Sequence, residues 1–227
     1  MMKKMLRTTR GSQGFTLVEM IGVLAIIAIL MALLLPKVFS LIGASNARSL
    51  AAAVRTFETS IVNYYADIGS LYPLNIAGTP VQEGSGNSAT ATSLPARLTL
   101  NSSDALNVGT GSWPRFRGPY LEKFNSANPP GLGITMTMPS VSANNFGTAP
   151  LFTHRNFDLD GDNDNDIANG SQVTYLFVDD VTQSQFEEID GIIDSGVGSS
   201  PAQRRVRGRV KWQPGGGGQL RIYLASQ

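Results

Sequence analysis

Cysteine is absent from the 227-residue chain, and histidine occurs once, as His154. The first absence excludes a disulfide framework and thiolate-bound metal, and the second excludes a histidine metal cluster. Charge is also scarce, at 15% of residues, and nearly balanced, with 18 Lys+Arg against 17 Asp+Glu. That balance argues against a polyelectrolyte partner, so no nucleic acid is expected. No G-x-S-x-G elbow is present, and Gly215–Gly218 lacks the lysine and following helix of a phosphate loop. With no nucleophile–base set in view, an enzyme is not expected. Stability must come from burial, from assembly or from an oxygen-ligated ion. Abundant Gly, Ser, Thr and Asn suit an exported, loop-rich domain.

The charge that is present is unevenly placed. Lys3, Lys4, Arg7 and Arg10 precede Gly14 with no acid among them, leaving 14 basic against 17 acidic residues elsewhere. From Phe15 to Leu35 the only charge is Glu19. As a helix this run is about 31 Å long, close to the hydrocarbon thickness of a bilayer. The basic residues before it hold the N-terminus in the cytoplasm, which sends the rest of the chain to the far side of an inner membrane. A secretory signal has a shorter apolar region followed by a small-residue cleavage site, whereas here the small residue, Gly14, comes first. A carboxylate inside an apolar span costs about 2.5–3.5 kcal/mol on insertion scales, so Glu19 requires a reason.

Helical periodicity continues past the anchor. Leu50, Val54, Phe57, Ile61, Tyr64 and Ile68 recur at steps of three and four, and Gly69 and Pro73 mark the end. Pro36 is expected to kink or open the helix near the membrane exit, with Gly43 weakening it further. Residues 74–150 read as loops, with short ordered pieces at Leu94–Leu100 and Trp113–Phe124. Gln172–Val178 reads as a strand and Thr182–Asp194 as a helix. Arg205–Trp212 and Gln219–Ala225 alternate like two strands of a hairpin joined by "QPGGGG". The expected fold is α+β: a long N-terminal helix, transmembrane in its first half, packed on a C-terminal antiparallel sheet. The segments are a leader (1–14), a transmembrane helix (15–35), an amphipathic half (36–69) and a globular domain (70–227).

"GFTLVE" followed by an apolar run resembles the processing signal of type IV pilins and type II secretion pseudopilins. The resemblance implies that a prepilin peptidase cuts between Gly14 and Phe15 and N-methylates Phe15. It also implies that the mature chains polymerise into a helical filament, with Glu19 meeting the positive N-terminus of a neighbouring copy. Such a pair in low dielectric acts as a register device, because a missing partner is strongly penalised. Glu19 and Pro36 are thus the expected assembly residues. "YYADIGSLYP" (Tyr64–Pro73) and "GPYLEKF" (Gly118–Phe124) resemble segments of the major pseudopilin of type II secretion systems. "DGDNDNDIAN" (160–169) resembles that family's calcium loop. That family implies minor pseudopilins and an inner-membrane assembly platform as partners. No convincing D-P-W-G segment is present, and residues 170–227 run beyond the point where that family usually ends.

Chemistry supports the same loop. Asp158, Asp160, Asp162, Asp164 and Asp166 occupy alternate positions, and five carboxylates so close repel one another without a cation. Ca²⁺ takes six to eight oxygen ligands, whereas Mg²⁺ prefers to keep its waters. Asn163 and Asn169 stand where an EF-hand needs glycine and a bidentate glutamate, so another loop geometry is expected, with Asp160, Asp164 and Asp166 as the favoured ligands. The alternative is a solvated turn. The basic run Arg204–Lys211 is read as a strand with outward arginines rather than a surface for DNA, lipid or an acidic neighbour. His154 is read as a surface or packing residue. The leading function is a structural subunit of a secretion pseudopilus. The alternatives are a type IV pilin for adhesion, twitching or DNA uptake, and a membrane-tethered hydrolase or binding protein.

Overall fold

The computed structural model describes residues 14–75, 77–82, 93–101, 113, 115–126, 132, 135–142, 158–162, 164, 166–168, 170–215 and 217–227. Lys3, Lys4, Arg7, Arg10, His154, Asn163 and Asn169 lie outside the described residues, as does much of the segment read as loops between 74 and 150. The chain divides into two units, Met1–Ile42 and Gly43–Gln227.

Helix α1 covers Leu17–Ile68. In the first unit its large apolar side chains, Leu17 through Ile42, are exposed, because no described residue packs on them. The expected opening at Pro36 is absent: the helix is continuous through Pro36 and Gly43. Proline removes one backbone donor, but the leucines before it are strong helix formers and carry the turn across. In the second unit Ala47, Leu50, Val54, Phe57, Ile61 and Tyr64 form the buried stripe that the spacing predicts. Gly69 ends the helix at φ +76°, a conformation open to glycine, and its N–H donates to the Tyr65 carbonyl at 2.7 Å.

The sheet is antiparallel and five-stranded. Its strands are β1 (Met136–Thr137), β2 (Ser140–Ser142), β3 (Gln172–Asp179), β4 (Val210–Gln213) and β5 (Gln219–Ser226). The order is β1-β3-β5-β4, with β2 also paired to β3. Alternation along β3 and β5 divides their side chains between two layers. Leu176, Val178, Leu220, Ile222 and Leu224 join the α1 stripe in the main core. Val173 and Tyr175, with Phe177 and Tyr223, face the other way and are covered by Leu159 and Ile167 from the acidic segment. The second unit therefore stacks α1, the sheet and the acidic turn in that order, an α+β fold as expected.

Other boundaries depart from the sequence reading. α2 (Leu94–Leu98) is a short helix with proline in its first turn. β1 and β2 fall within a stretch read as loops. α3 (Gln183–Ile193) starts at a capping box, in which Thr182 and Gln185 exchange side-chain-to-backbone hydrogen bonds. The strand expected over Arg205–Trp212 begins only at Val210, because Ser200 and Pro201 start a further short helix, α4 (Pro201–Arg204). Between them the backbone turns at Gly208, φ +80°, where a side chain would run into the Asp194 carboxylate.

That turn sends each cation of the basic run in a different direction. Arg204 pairs with Asp190 at 3.7 Å. Arg205 donates to Gln183 at 2.9 Å and lies 4.8 Å over the Trp212 ring. Arg207 pairs with Asp158 at 3.5 Å, Arg209 with Glu58 of α1, and Lys211 donates to the Val206 carbonyl. The Gly208 N–H donates to the Asp158 carbonyl at 2.7 Å and the Val210 N–H to Asp194 at 2.6 Å. The arginines are internal ties rather than an outward-facing strand.

Burial pushes the Asp190 carboxyl up to about 7, with the Asp194 charge adding to it against the pull of Arg204. Burial also lifts Asp194 to about 6, against the N–H groups of Val210 and Arg209. The folded chain thus binds more protons than the unfolded chain between the ordinary value of 3.8 and about 7, so these groups lower stability as pH rises through that range. Asp190→Asn is expected to flatten the fall in melting temperature across that interval. Thermal unfolding of the full chain in detergent at stepped pH measures it, and an unchanged slope contradicts the assignment.

Candidate functional site

The first helical turn carries the residues that the sequence singles out. Phe15 is 79% exposed, and Thr16 precedes the first helical residue, Leu17. The Thr16 N–H and hydroxyl donate to Glu19 Oε2 at 2.8 and 2.7 Å, while the Glu19 N–H donates to the Thr16 hydroxyl at 3.3 Å. This is a capping box, T-x-x-E, in which the carboxylate satisfies donors that the helix start leaves open. The sequence reading gave Glu19 an assembly role and did not include a cap, although the spacing of Thr16 and Glu19 signalled one. Gly14 has open space around it: a side chain there would meet no heavy atom within 4 Å. Pro36 lies exposed within α1.

The helix is long and apolar enough to cross a membrane, with a mean hydropathy of 2.8 over its most apolar window and none of that window buried. Large apolar side chains left bare along one helix mark a surface meant for lipid or for other protein.

A second group of acids lies in the turn over the sheet. Carboxylate oxygens of Asp158, Asp160 and Asp166 lie within 4.8 Å of one another. Asp158 is buried at 5% exposure, accepts from the Gly161 N–H at 2.6 Å and pairs with Arg207. Asp166 folds back to accept from the Leu159 N–H at 2.5 Å, which is what brings it to Asp158. Asp162 and Asp164 stand outside this group. The Asp162 N–H donates to Asp160 and the Asp164 N–H to Asp162, at 3.1 and 3.0 Å. The Asp164 N–H lowers Asp162, whereas the hydrogen bond to Asp162 and the charge beside it raise Asp164. The three grouped carboxylates are hard oxygen donors, a set that suits a hard cation.

The two segments "YYADIGSLYP" and "GPYLEKF" meet in space. The Tyr64 hydroxyl donates to the Tyr72 carbonyl at 2.9 Å and accepts from the Leu74 N–H at 3.1 Å, pinning the chain as it leaves α1. Tyr120 stands edge-on to the Tyr64 ring, with centroids 5.6 Å apart, and donates to Asp67 at 2.7 Å. Burial first, and then the Asp67 carboxylate, push the Tyr120 hydroxyl up to about 12. Phe116 and Trp113 extend the edge-on series, and Arg97 closes it, 4.7 Å over Trp113, with its Nε donating to the Leu74 carbonyl. These motif residues are a structural lock between the helix end and the following segment.

An apolar-led helix packed by its second half on an antiparallel sheet is a pilin-like architecture. The family model described as "Prokaryotic N-terminal methylation motif" matches residues 9–35, so the chain carries a type IV pilin-like prepilin leader. No curated protein and no solved structure matches the chain. The motif supports a structural subunit associated with a membrane and processed by prepilin peptidase.

Tyr120→Phe removes the hydroxyl that donates to Asp67 and accepts from the Arg117 N–H, and keeps the ring packing. It is expected to cost about 1–3 kcal/mol, measured by urea unfolding of the full chain in detergent. A change near zero means the Asp67 bond contributes nothing to the fold.

Proposed function

We propose that the chain is a structural subunit, the major pseudopilin, of a type II secretion pseudopilus. The observation that carries this reading is the methylation motif over residues 9–35, which runs into an apolar helix that no described residue covers. In this reading prepilin peptidase cuts between Gly14 and Phe15 and methylates the new N-terminus, and the exposed helices of many copies cover one another in a filament. The N-terminus faces the cytoplasm and the globular unit the periplasm. Minor pseudopilins and an inner-membrane platform assist assembly. The secretion role is favoured over a surface pilus by the Tyr64–Tyr120 lock, whose two segments resemble those of the major pseudopilin.

Gly14→Ala tests the processing step cleanly, because the fold itself has room for the methyl group. The variant is expected to remain at precursor mass in membranes and to leave normally exported proteins in the periplasm. A mature mass contradicts the cleavage site. Loss of surface pili or twitching with secretion intact favours the surface-pilus alternative.

Asp158, Asp160 and Asp166 would hold Ca²⁺ in this reading, with the ion tying the acidic turn over the far face of the sheet. An ion that binds only the folded state raises its stability by mass action. Calcium is expected to raise the melting temperature of the full chain in detergent, and the double variant Asp160→Ala, Asp166→Ala to abolish the rise. A wild-type chain indifferent to calcium removes the ion from the proposal.

A further inference from the structure

The globular unit carries opposite charge on its two outer layers. On the outer side of α1, Arg48, Ala52, Arg55, Thr59, Val62 and Ala66 are all exposed, with Arg55 at the edge nearest Glu58 and Arg209. Arg48 and Arg55 are two turns apart, about 10.5 Å along the axis, with no acid on that face between them. Among the described residues neither makes an ion pair, whereas Arg204, Arg207 and Arg209 each have one. On the opposite side of the sheet, the turn whose Leu159 and Ile167 cover Tyr175 and Val173 exposes Asp160, Asp162 and Asp164. Asp162 and Asp164 are not in the grouped carboxylates.

Resting on the subunit reading above, we propose that the face of α1 bearing Arg48 and Arg55 docks against the acidic turn at 160–164 of a second copy of this chain. Charge complementarity selects that occupant: the basic face meets carboxylates, and two basic faces repel. The two surfaces lie on opposite sides of one unit, so the contact is heterologous. Each copy presents one basic and one acidic side, and such contacts propagate as an open helical array when the rotation does not close. The small residue between the arginines, Ala52, leaves the guanidinium groups standing proud of the surface.

Because the chain has no cysteine, introduced thiols report this contact without background. Ala52→Cys and Asp162→Cys in one full-length chain are expected to give a disulfide ladder in oxidised membranes, and each single variant no more than a dimer. Adding Arg48→Glu and Arg55→Glu should lower the ladder at least about tenfold, since like charges then face each other. Adding Asp164→Lys, which lies outside the grouped carboxylates, to that chain restores opposite charge across the contact and should recover much of the ladder. At about 1 M salt, where the screening length is about 3 Å, the ladder should fade. Leu24→Cys as a separate single variant, on the apolar helix, reports assembly independently as a cross-linked dimer. A Leu24 dimer with no 52–162 ladder, or a 52–162 ladder indifferent to charge reversal, overturns the docking and leaves the subunit reading standing. Absence of both products overturns both.

Discussion

One stripe of α1, from Ala47 to Tyr64, is the surface on which the globular unit is built. A helix of this length gains little from propensity alone and relies on an apolar face buried elsewhere. Leu50 and Ile61 are fully buried, and each large apolar side chain taken from water contributes about 1.5–3 kcal/mol. The near face of the sheet, α2 and the aromatic lock all converge on that stripe. Upstream, Leu17 to Ile42 present the same kind of side chain with no described residue packed on them. The same helix therefore poses two burial problems. Its second half solves one within the chain, and its first half leaves the other to lipid or to further copies.

Charge is used as economically as its scarcity suggests. The run Arg204–Lys211, taken as a line of letters, is the one basic cluster and invites a partner. In the fold it is a hub. The backbone turns at Gly208 between the Asp158 carbonyl and the Asp194 carboxylate, so successive arginines leave toward α3, the acidic turn and α1. The arrangement has a cost, since Asp190 and Asp194 are held where burial favours their neutral forms. Removing one partner from such a set leaves a buried charge uncompensated, which is why these ties confer geometry more than net stability.

What the sequence made legible follows from periodicity and local chemistry. The stripe on α1, the strand over Gln172–Asp179 and the glycine-joined hairpin are each long enough to show their period. β1 and β2 have two and three residues, too few to alternate visibly, and exist because β3 offers them an edge. The meeting of Tyr64 with Tyr120 was likewise invisible, since no local rule joins segments so far apart in sequence. In the acidic turn, alternation points to all five aspartates, with Asp160, Asp164 and Asp166 the favoured ligands. The fold instead groups Asp158 with Asp160 and Asp166, because Asp166 reaches back to the Leu159 N–H. The Arg205–Trp212 strand was over-read because alternating arginines mimic a strand when they flank a turn.

Glu19 looks different once its hydrogen bonds are known. As an acid in an apolar span it is only a cost, yet its carboxylate caps the first turn by accepting two bonds from Thr16. That cap offsets part of the desolvation, because the donors it satisfies would otherwise be unpaired at the same depth. It also fixes where the negative charge sits, at the very start of the helix beside Phe15 rather than swinging along its side. The helix dipole favours a negative charge there but supplies only about half a unit of positive charge. A full compensating charge would come from an ammonium group, which the proposed cleavage after Gly14 would create at Phe15. In that reading the capping box and the processing signal are coupled by charge. The cap positions an acid that the uncut chain leaves only partly balanced, and cutting would provide the cation, in the same chain or in its neighbour.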